Sequence, residues 1–232
     1  MATFVLVHGA WHGAWCWERV AKMLRGKGHS VYAPTLSGVC ERSHLLSPAI
    51  NLDTHIMDVV NEIKWKELSN VVLVDHSYGG MVISGVAEKT EKSIASFVML
   101  DAFHSDSGQS LIDMQPPPAR EAFQAAEAKG DVGMPPRPAA FFHVNDKDAA
   151  WVDKMCTPHP IKCFTQELTL TGARERIAKR SFIRAATFPS VYFDKSREKA
   201  KADGWRIYDV PCGHDVMLDM PEKLTEILIE VA

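Results

Sequence analysis

The sequence predicts an α/β fold in which helices cover both faces of a parallel sheet. Three observations predict it. Short apolar runs alternate with segments of helical periodicity, the runs end in turn residues, and one such turn carries a serine between a strand and a helix. The chain has 232 residues, 46% hydrophobic and 24% charged, which suits one domain or one domain with a small insertion.

The alternation is clearest in the first part of the chain. Four apolar runs bounded by turn signals predict strands, and they lie at residues 4–7, 30–33, 71–74 and 94–100. Apolar residues at helical spacing predict helices at 15–27, at 53–63 and directly after Gly80. Strands joined by helices in this way form parallel pairs, because a parallel connection needs a long crossover.

The alternation stops near residue 104 and resumes after residue 174. The intervening segment is rich in proline and contains two helix-like pieces, at 119–129 and 147–155. Beyond it, strands are predicted at 181–185 and 205–210, with helices at 196–202 and 221–231. We therefore predict a core of residues 1–103 and 175–232 with residues 104–174 inserted as a cap. In open α/β sheets, ligands bind at the carboxyl ends of the strands, where such a cap would lie.

The segment His76-Ser77-Tyr78-Gly79-Gly80 follows the third predicted strand and precedes a helix. A serine on such a sharp turn has its hydroxyl exposed above the sheet edge, which makes Ser77 a candidate nucleophile. The usual pattern has glycine two residues before the serine, and here that position is Asp75. The turn is therefore imperfect, and a charge near the nucleophile is expected.

A nucleophilic serine needs a base and an acid that orients the base. His214 lies in the loop after the last predicted strand, and a histidine last in the chain order is typical of this architecture. Asp101 ends the strand at 94–100 and is the preferred acid, because a buried carboxylate at a strand end needs a partner. Asp194 is the alternative. Asp215 is adjacent to the base and is not expected to orient it.

The first strand-to-helix loop has the sequence His8-Gly9-Ala10-Trp11-His12-Gly13-Ala14-Trp15. An oxyanion hole needs backbone N–H groups, and we expect them from Ala10 in this loop and from Tyr78 after the serine. A metal site formed by His8, His12 and His214 is conceivable, but no ligand spacing supports it, so no metal and no cofactor are expected.

Charge and cysteine content exclude several classes of protein. The net charge of -3 and the absence of a Lys/Arg cluster give no nucleic-acid surface. No apolar run is long enough to span a membrane, and the residues after Met1 show no secretory signal. Five scattered cysteines without a Cys-x-x-Cys pair suit reduced thiols, so we expect a cytoplasmic protein. The oligomeric state, a homodimer included, is left open.

Together the loop at 8–15, the serine turn and Gly213-His214-Asp215-Val216-Met217 resemble the α/β-hydrolase superfamily. The resemblance is nearest to its branch of small esterases and hydroxynitrile lyases, which includes plant methylesterases and bacterial relatives. It implies an α/β-hydrolase fold with a six-stranded, mostly parallel sheet and a helical cap over an apolar pocket, without a cofactor. Candidate residues lining that pocket are Trp11, Phe103, Met114, Phe141, Phe142 and Trp151.

Two comparisons with members of this branch guide the functional prediction. Plant members place the acid after the strand that follows the cap, but the matching residues 186–190 contain no carboxylate, so we expect the acid to be relocated to Asp101. Lyase members resemble each other in a loop threonine and a lysine after the base, where this chain has Gly9 and Asp215. We therefore predict a serine carboxylesterase that cleaves small to medium, apolar or aromatic esters through an acyl-enzyme.

Two other functions stay open at this stage. One is a binding protein for a small molecule on a hydrolase fold, without turnover. The other is a hydroxynitrile lyase or a cofactor-free, peroxidase-like enzyme that uses the same serine. Product analysis separates these from an esterase.

Overall fold

The computed structural model describes residues 1–232, and its centre is a six-stranded sheet in the order β2-β1-β3-β4-β7-β8. All five pairs of neighbouring strands are parallel. The strands of this sheet are β1 (Thr3–Val7), β2 (Ser30–Tyr32), β3 (Val71–His76), β4 (Ile94–Leu100), β7 (Lys179–Ala185) and β8 (Arg206–Val210). The predicted fold class is confirmed.

Helices cover the sheet from both sides. Successive side chains of a strand point to opposite faces, and all six residues of β3 are buried, so neither face of this central strand contacts solvent. The long helices of the core are α1 (Glu18–Gly26), α2 (Leu52–Trp65), α3 (Gly79–Thr90), α8 (Val191–Ala202) and α10 (Pro221–Glu230), with the short α9 (Val216–Asp219) before the last. Helix α1 packs against α10, and α2 packs against α3.

Local sequence explains where these helices begin. Asn51 caps α2 in a reciprocal capping box with Thr54, at 3.0 Å and 3.3 Å. Helix α3 begins directly after the serine turn, and Gly80 lets it approach the next loop, because a Cβ there would lie 2.6 Å from the carbonyl oxygen of Phe103. This close approach fixes the helix end beneath the site.

Between Leu100 and Lys179 the chain leaves the sheet. The helices of this segment are α4 (Pro117–Ala128), α5 (Ala149–Met155), α6 (Lys162–Thr165) and α7 (Ala173–Arg176). Two very short strands, β5 (Gly133–Met134) and β6 (His159–Pro160), pair antiparallel within it. Both predicted helical pieces are present as α4 and α5. Strands β5 and β6 are too short for an alternation of apolar and polar residues to predict them. The cap limits at 104 and 174 fall inside this segment and stay a prediction.

Short 3-10 helices complete the chain, at Ala14–Trp17, Cys40–Leu45, Glu91–Ser93, Leu111–Met114 and Ala139–Phe142. None of the helices combines the length and the low charge that a membrane-spanning segment needs.

Candidate active site

Ser77 lies at the turn between β3 and α3 in a left-handed backbone conformation, with φ of 57°. This conformation is uncommon for a residue other than glycine, and it persists where the surrounding structure holds it. The Ser77 N–H donates to the carbonyl of Leu100 at 3.1 Å, and its carbonyl accepts from Gly80 at 3.1 Å. A Cβ at position 79 would lie 3.0 Å from Cβ of Asp75, so the turn requires a small residue there. The side chain of Ser77 faces a cavity.

Asp75 sits directly under this turn and is fully buried. Its Oδ1 accepts a long contact of 3.4 Å from the N–H of Leu100, and its Oδ2 has no partner. Burial disfavours the charged form and raises the pKa of Asp75 well above its ordinary value of 3.8. The expectation of a charge near the nucleophile stays a prediction, and the burial of this carboxyl disfavours its charged form.

Asp101 and His214 are brought together at the same edge of the sheet. Nδ1 of His214 donates to Oδ2 of Asp101 at 2.6 Å, and both side chains are buried. Asp101 follows β4 with φ of 42°, another strained position. Since the proton is on Nδ1, the Nε2 lone pair of His214 is available. His214 and Ser77 line the same cavity, although no hydrogen bond joins them in this structure.

The two other carboxylates considered from the sequence do not contact His214. Asp194 lies on α8 with its side chain 63% exposed, and it pairs with Arg184 at 2.9 Å. Asp215 is buried and pairs instead with Nε2 of His12 at 3.0 Å. Only Asp101, of the three, can orient the imidazole.

The backbone N–H groups of Ala10 and Tyr78 have no acceptor within the protein. Both residues are buried and both line the cavity beside Ser77. Buried backbone N–H groups are almost always paired, so two unpaired ones at one cavity indicate a place for an anionic oxygen.

The segment between β4 and β7 holds the loop that carries Ala10. The N–H of Trp11 donates to Nδ1 of His159 at 3.2 Å, and its indole N–H donates to the carbonyl of Met134 at 3.0 Å. The carbonyl of Trp11 accepts from Thr157 at 3.1 Å. Three contacts from the cap thus fix Trp11 in its left-handed conformation, with φ of 66°. Sequence reasoning did not predict these contacts, because β5 and β6 have two residues each and no recognisable pattern.

A cavity of about 330 Å³ opens above Ser77 and is lined mainly by aromatic and aliphatic side chains. Four of the candidate residues line it, namely Trp11, Phe103, Phe141 and Phe142. Met114 and Trp151 lie outside this lining. Met114 packs against the hydrophobic core, and the ring of Trp151 packs edge-on against Trp15 at 4.8 Å.

Two further phenylalanines were not among the candidates. The rings of Phe188 and Phe193 stack on the imidazole of His214, with centroids 4.8 Å and 4.9 Å away. On the cap side, the ring of Phe142 stacks on the same imidazole at 5.6 Å. Both phenylalanines follow β7 in the sequence, and this run of aromatic residues is the signal that could have predicted this side of the cavity.

A buried ion pair joins the loop at 8–15 to the loop that carries His214. Nδ1 of His12 donates to the carbonyl of Ala10 at 2.8 Å, and its Nε2 donates to Oδ2 of Asp215 at 3.0 Å, so both ring nitrogens carry protons. Burial disfavours the charged imidazole, but the charge of Asp215 and the hydrogen bond to it outweigh burial and raise the pKa of His12 above 6.5. Burial likewise tends to raise the pKa of Asp215, and the charge of His12 overcomes it and holds that pKa well below 3.8.

Two histidines and one cysteine near Tyr78 are close enough together to be considered as ligands of a metal ion. The ligand atoms of His55, His159 and Cys163 lie within 4.8 Å of one another. However, His55 donates from Nε2 to the carbonyl of Ser37 at 2.8 Å and accepts from the Tyr78 hydroxyl at 2.9 Å. Burial also raises the pKa of the Cys163 thiol, which keeps it protonated. We therefore interpret these side chains as holding Tyr78 in position and not as a metal site.

The sequence trio of His8, His12 and His214 does not converge on a metal site. His8 donates from Nδ1 to the carbonyl of Gly9 at 2.8 Å and accepts from the N–H of Leu36 at 3.0 Å. His12 is committed to its ion pair and His214 to Asp101.

Comparison with known proteins identifies the family. The model of the alpha/beta hydrolase family matches residues 4–227. A carbendazim hydrolyzing esterase of Nocardioides sp. (strain SG-4G) is 43% identical over an alignment of 240 positions, which covers 98% of this chain and 98% of that protein. Methylesterase 2 of Arabidopsis thaliana is 36% identical over 111 residues, 46% of this chain and 41% of that protein.

Solved structures show the same fold over the whole chain. An extracellular alpha/beta-hydrolase from a Paenibacillus species has a TM-score of 0.87 at 24% identity and covers 100% of this chain and 99% of its own. The methylesterase MES16 from Arabidopsis has a TM-score of 0.76 at 22% identity, covering 99% and 98%. The chain belongs to the alpha/beta hydrolase family and is a carboxylic ester hydrolase of that family.

Proposed function

We propose that Ser77, His214 and Asp101 form the catalytic triad of this esterase, with the N–H groups of Ala10 and Tyr78 as its oxyanion hole. The observation that carries the proposal is the 2.6 Å contact between His214 and Asp101 at the cavity that Ser77 faces. It leaves the Nε2 lone pair of the imidazole free to accept the serine proton, as a general base must.

The mechanism follows from these positions. Ser77 Oγ attacks the carbonyl carbon of the ester while Nε2 of His214 takes its proton, and Asp101 stabilises the imidazolium. The developing oxyanion accepts hydrogen bonds from the N–H groups of Ala10 and Tyr78. His214 then protonates the leaving alcohol. Water, deprotonated by the same histidine, releases the acid from the acyl-enzyme.

The cavity supports a substrate class. Its volume of about 330 Å³ and its aromatic walls suit a small to medium ester with an apolar or aromatic group. The relatives are named for carbendazim, which is a methyl carbamate of a benzimidazole, and for methyl esters. We therefore propose methyl and other small alkyl esters or carbamates of aromatic acids and amines as the substrates.

The lyase alternative has no support in the site. The position after the base holds Asp215, which is anionic and already paired with His12. A cationic group that would stabilise departing cyanide is absent from that position. A cofactor-free, peroxidase-like activity or binding without turnover is likewise favoured by no contact at the site.

The cysteines bear on the location of the protein. All five cysteines are free thiols, which suits a reducing compartment, and we propose the cytoplasm. Cell fractionation with an antibody against the chain tests this. A homodimer stays a proposal, which sedimentation of the purified protein tests.

The decisive experiment compares the wild type with Ser77→Ala on 4-nitrophenyl acetate, methyl benzoate and carbendazim. We expect the wild type to hydrolyse at least one of them and Ser77→Ala to lose about a thousandfold or more in kcat. Ser43→Ala, at an exposed serine, is the matched control and should retain full activity. Turnover by Ser77→Ala at the wild-type rate would exclude Ser77 as the nucleophile.

A further inference from the structure

A buried arginine contacts the carboxylate of Asp101. Arg184 lies in β7 with its side chain 5% exposed. Its Nη1 donates to Oδ1 of Asp101 at 2.7 Å and to the carbonyl of Ala185 at 2.6 Å. Its Nη2 donates to the carbonyl of Phe188 at 2.7 Å, and its Nε donates to Asp194 at 3.0 Å. Each guanidinium nitrogen thus has an acceptor, as a buried cation requires.

The carboxylate of Asp101 divides its contacts between two partners. Oδ2 accepts from His214, while Oδ1 accepts from Arg184 and, at 3.1 Å, from the N–H of Ala185. Every contact is with a donor, so the plane of the carboxylate is fixed and its negative charge is shared. Without the contacts to Oδ1, the carboxylate could rotate, and its whole charge would act on the imidazole.

The same guanidinium holds the wall that packs on the base. Arg184 binds the carbonyl of Phe188, and the rings of Phe188 and Phe193 stack on His214. One side chain therefore positions both the acid and the aromatic surface against which the imidazole lies.

The other titratable groups around His214 are neutral or already paired. From the end of β3, the ring of His76 lies 4.4 Å from that of His214, and burial lowers the pKa of His76 well below 6.5. From the loop of His214 itself, Asp215 is paired with His12. The cap and α8 present the rings of Phe142 and Phe193, and Asp194 on α8 is paired with Arg184.

We propose that Arg184 is a positioning residue of this hydrolytic site. Its guanidinium fixes Asp101 against His214 and shares the charge of the carboxylate. This keeps the imidazole unprotonated, and therefore active as a base, at a lower pH than Asp101 and His214 alone would allow. The inference rests on the proposed function, because it assigns His214 as the base.

The test is the pH profile of kcat/KM for 4-nitrophenyl acetate in the wild type and in Arg184→Gln. Glutamine keeps hydrogen-bonding capacity but removes the positive charge. We expect the acid limb of the profile to move upward by about one pH unit in Arg184→Gln. An acid limb that stays at the wild-type pH in a folded Arg184→Gln would overturn the proposal.

Arg184→Lys distinguishes the effect of the positive charge from the effect of the hydrogen-bond geometry. It also provides a test of the proposal if Arg184→Gln does not fold. Its ammonium keeps the charge but cannot reach Asp101 and the Phe188 carbonyl together. We expect an unmoved acid limb and a fall in kcat of about tenfold with KM nearly unchanged. Wild-type kcat in Arg184→Lys would contradict the positioning role.

A surface variant and the wild-type protein are the controls. Glu198→Gln, which loses an exposed ion pair with Arg197 on the same helix as Asp194, should match the wild type in both quantities. Failure of the proposed function would appear separately, either as wild-type protein that does not hydrolyse the ester or as Ser77→Ala that hydrolyses it at the wild-type rate.

Discussion

At the scale of single residues, the chemistry depends on which carboxylate contacts His214. Asp101 makes that contact at 2.6 Å, whereas Asp194 is bound to Arg184 and largely exposed. Asp101→Asn keeps the size of the side chain, but its amide would present a donor to the imidazole and favour the wrong tautomer.

We therefore expect Asp101→Asn to lower kcat for an aryl acetate by about two to four decades, with little change in KM. Steady-state kinetics at neutral pH measures both values. Asp194→Asn is the matched comparison and should stay within about threefold of the wild type. If Asp194→Asn gave the larger loss, the acid would be assigned to the wrong residue.

The His12–Asp215 ion pair leads to a second prediction at the residue scale, which concerns how stability depends on pH. The pKa of His12 is raised above 6.5, so the stability from its charged form is present below pH 6.5 and is lost as the pH rises through the raised pKa. The pKa of Asp215 is lowered below 3.8, so its contribution is present above pH 3.8 and is lost as the pH falls through that lowered pKa. The pair therefore stabilises most between these two limits.

Asp215→Asn should lower the free energy of unfolding by about 3 kcal/mol near pH 5.5, since it breaks a buried pair. Urea denaturation at pH 5.5 and at pH 9.5 measures the difference, which should shrink at the higher pH. Asp209→Asn, at an exposed carboxylate paired with Arg197, should cost less than about 1 kcal/mol. An equal loss for Asp215→Asn at both pH values would contradict a charged His12.

Sequence reasoning reached some of these residues and not others, for a physical reason. Ser77, Asp101 and His214 each follow a recognisable strand, and strands of a parallel sheet place their carboxyl ends at one edge, so their proximity is predictable. Arg184 and the His12–Asp215 pair depend on register and on loop conformation. No periodicity in the sequence encodes which side chains meet across those loops.

At the scale of elements, the turn between β3 and α3 is held by close packing. A Cβ at Gly80 would meet the carbonyl oxygen of Phe103 at 2.6 Å, and backbone cannot move aside as a side chain can. The start of α3 carries the N–H of Tyr78, so a shift of this helix would move one half of the proposed oxyanion hole.

Gly80→Ala should therefore reduce both kcat and thermal stability, with kcat falling by about tenfold or more. Gly26→Ala is the control, because nothing lies within 4 Å of a Cβ at that position on α1. It should leave activity unchanged and stabilise the protein by about 0.4–1 kcal/mol. Esterase assays and thermal melts of both variants provide the measurement, and a fully active Gly80→Ala would show that the turn has room to relax.

The strands and long helices of the core were predictable because each shows an apolar run or apolar residues at helical spacing, bounded by turn residues. The cap was harder, because β5 and β6 have two residues each and α6 and α7 have four. Segments this short carry no period, and contacts with Trp11 rather than local preference fix their place.

At the scale of the whole molecule, the cap closes the cavity over the edge of the sheet. Its side chains Phe141, Phe142 and Phe164 form part of the lining, opposite Phe188 and Phe193 from the core. Substrate selection should therefore depend on the fit to about 330 Å³ between these two surfaces.

Activity on 4-nitrophenyl esters should accordingly be highest for short acyl chains. We expect kcat/KM to fall by at least about tenfold between the butyrate and the laurate, because the longer chain exceeds the cavity. Phe142→Ala should reduce this difference by enlarging the cap side. Equal kcat/KM across the series in the wild type would show that the cap does not limit substrate size.

The most direct measurement of the central claim is a crystal structure after inactivation with diethyl 4-nitrophenyl phosphate. The account predicts a covalent bond from Ser77 Oγ to phosphorus, with the phosphoryl oxygen within about 3.1 Å of the backbone nitrogens of Ala10 and Tyr78 and His214 still bound to Asp101. Phosphorus attached to another residue, or a phosphoryl oxygen turned away from those two nitrogens, would contradict it.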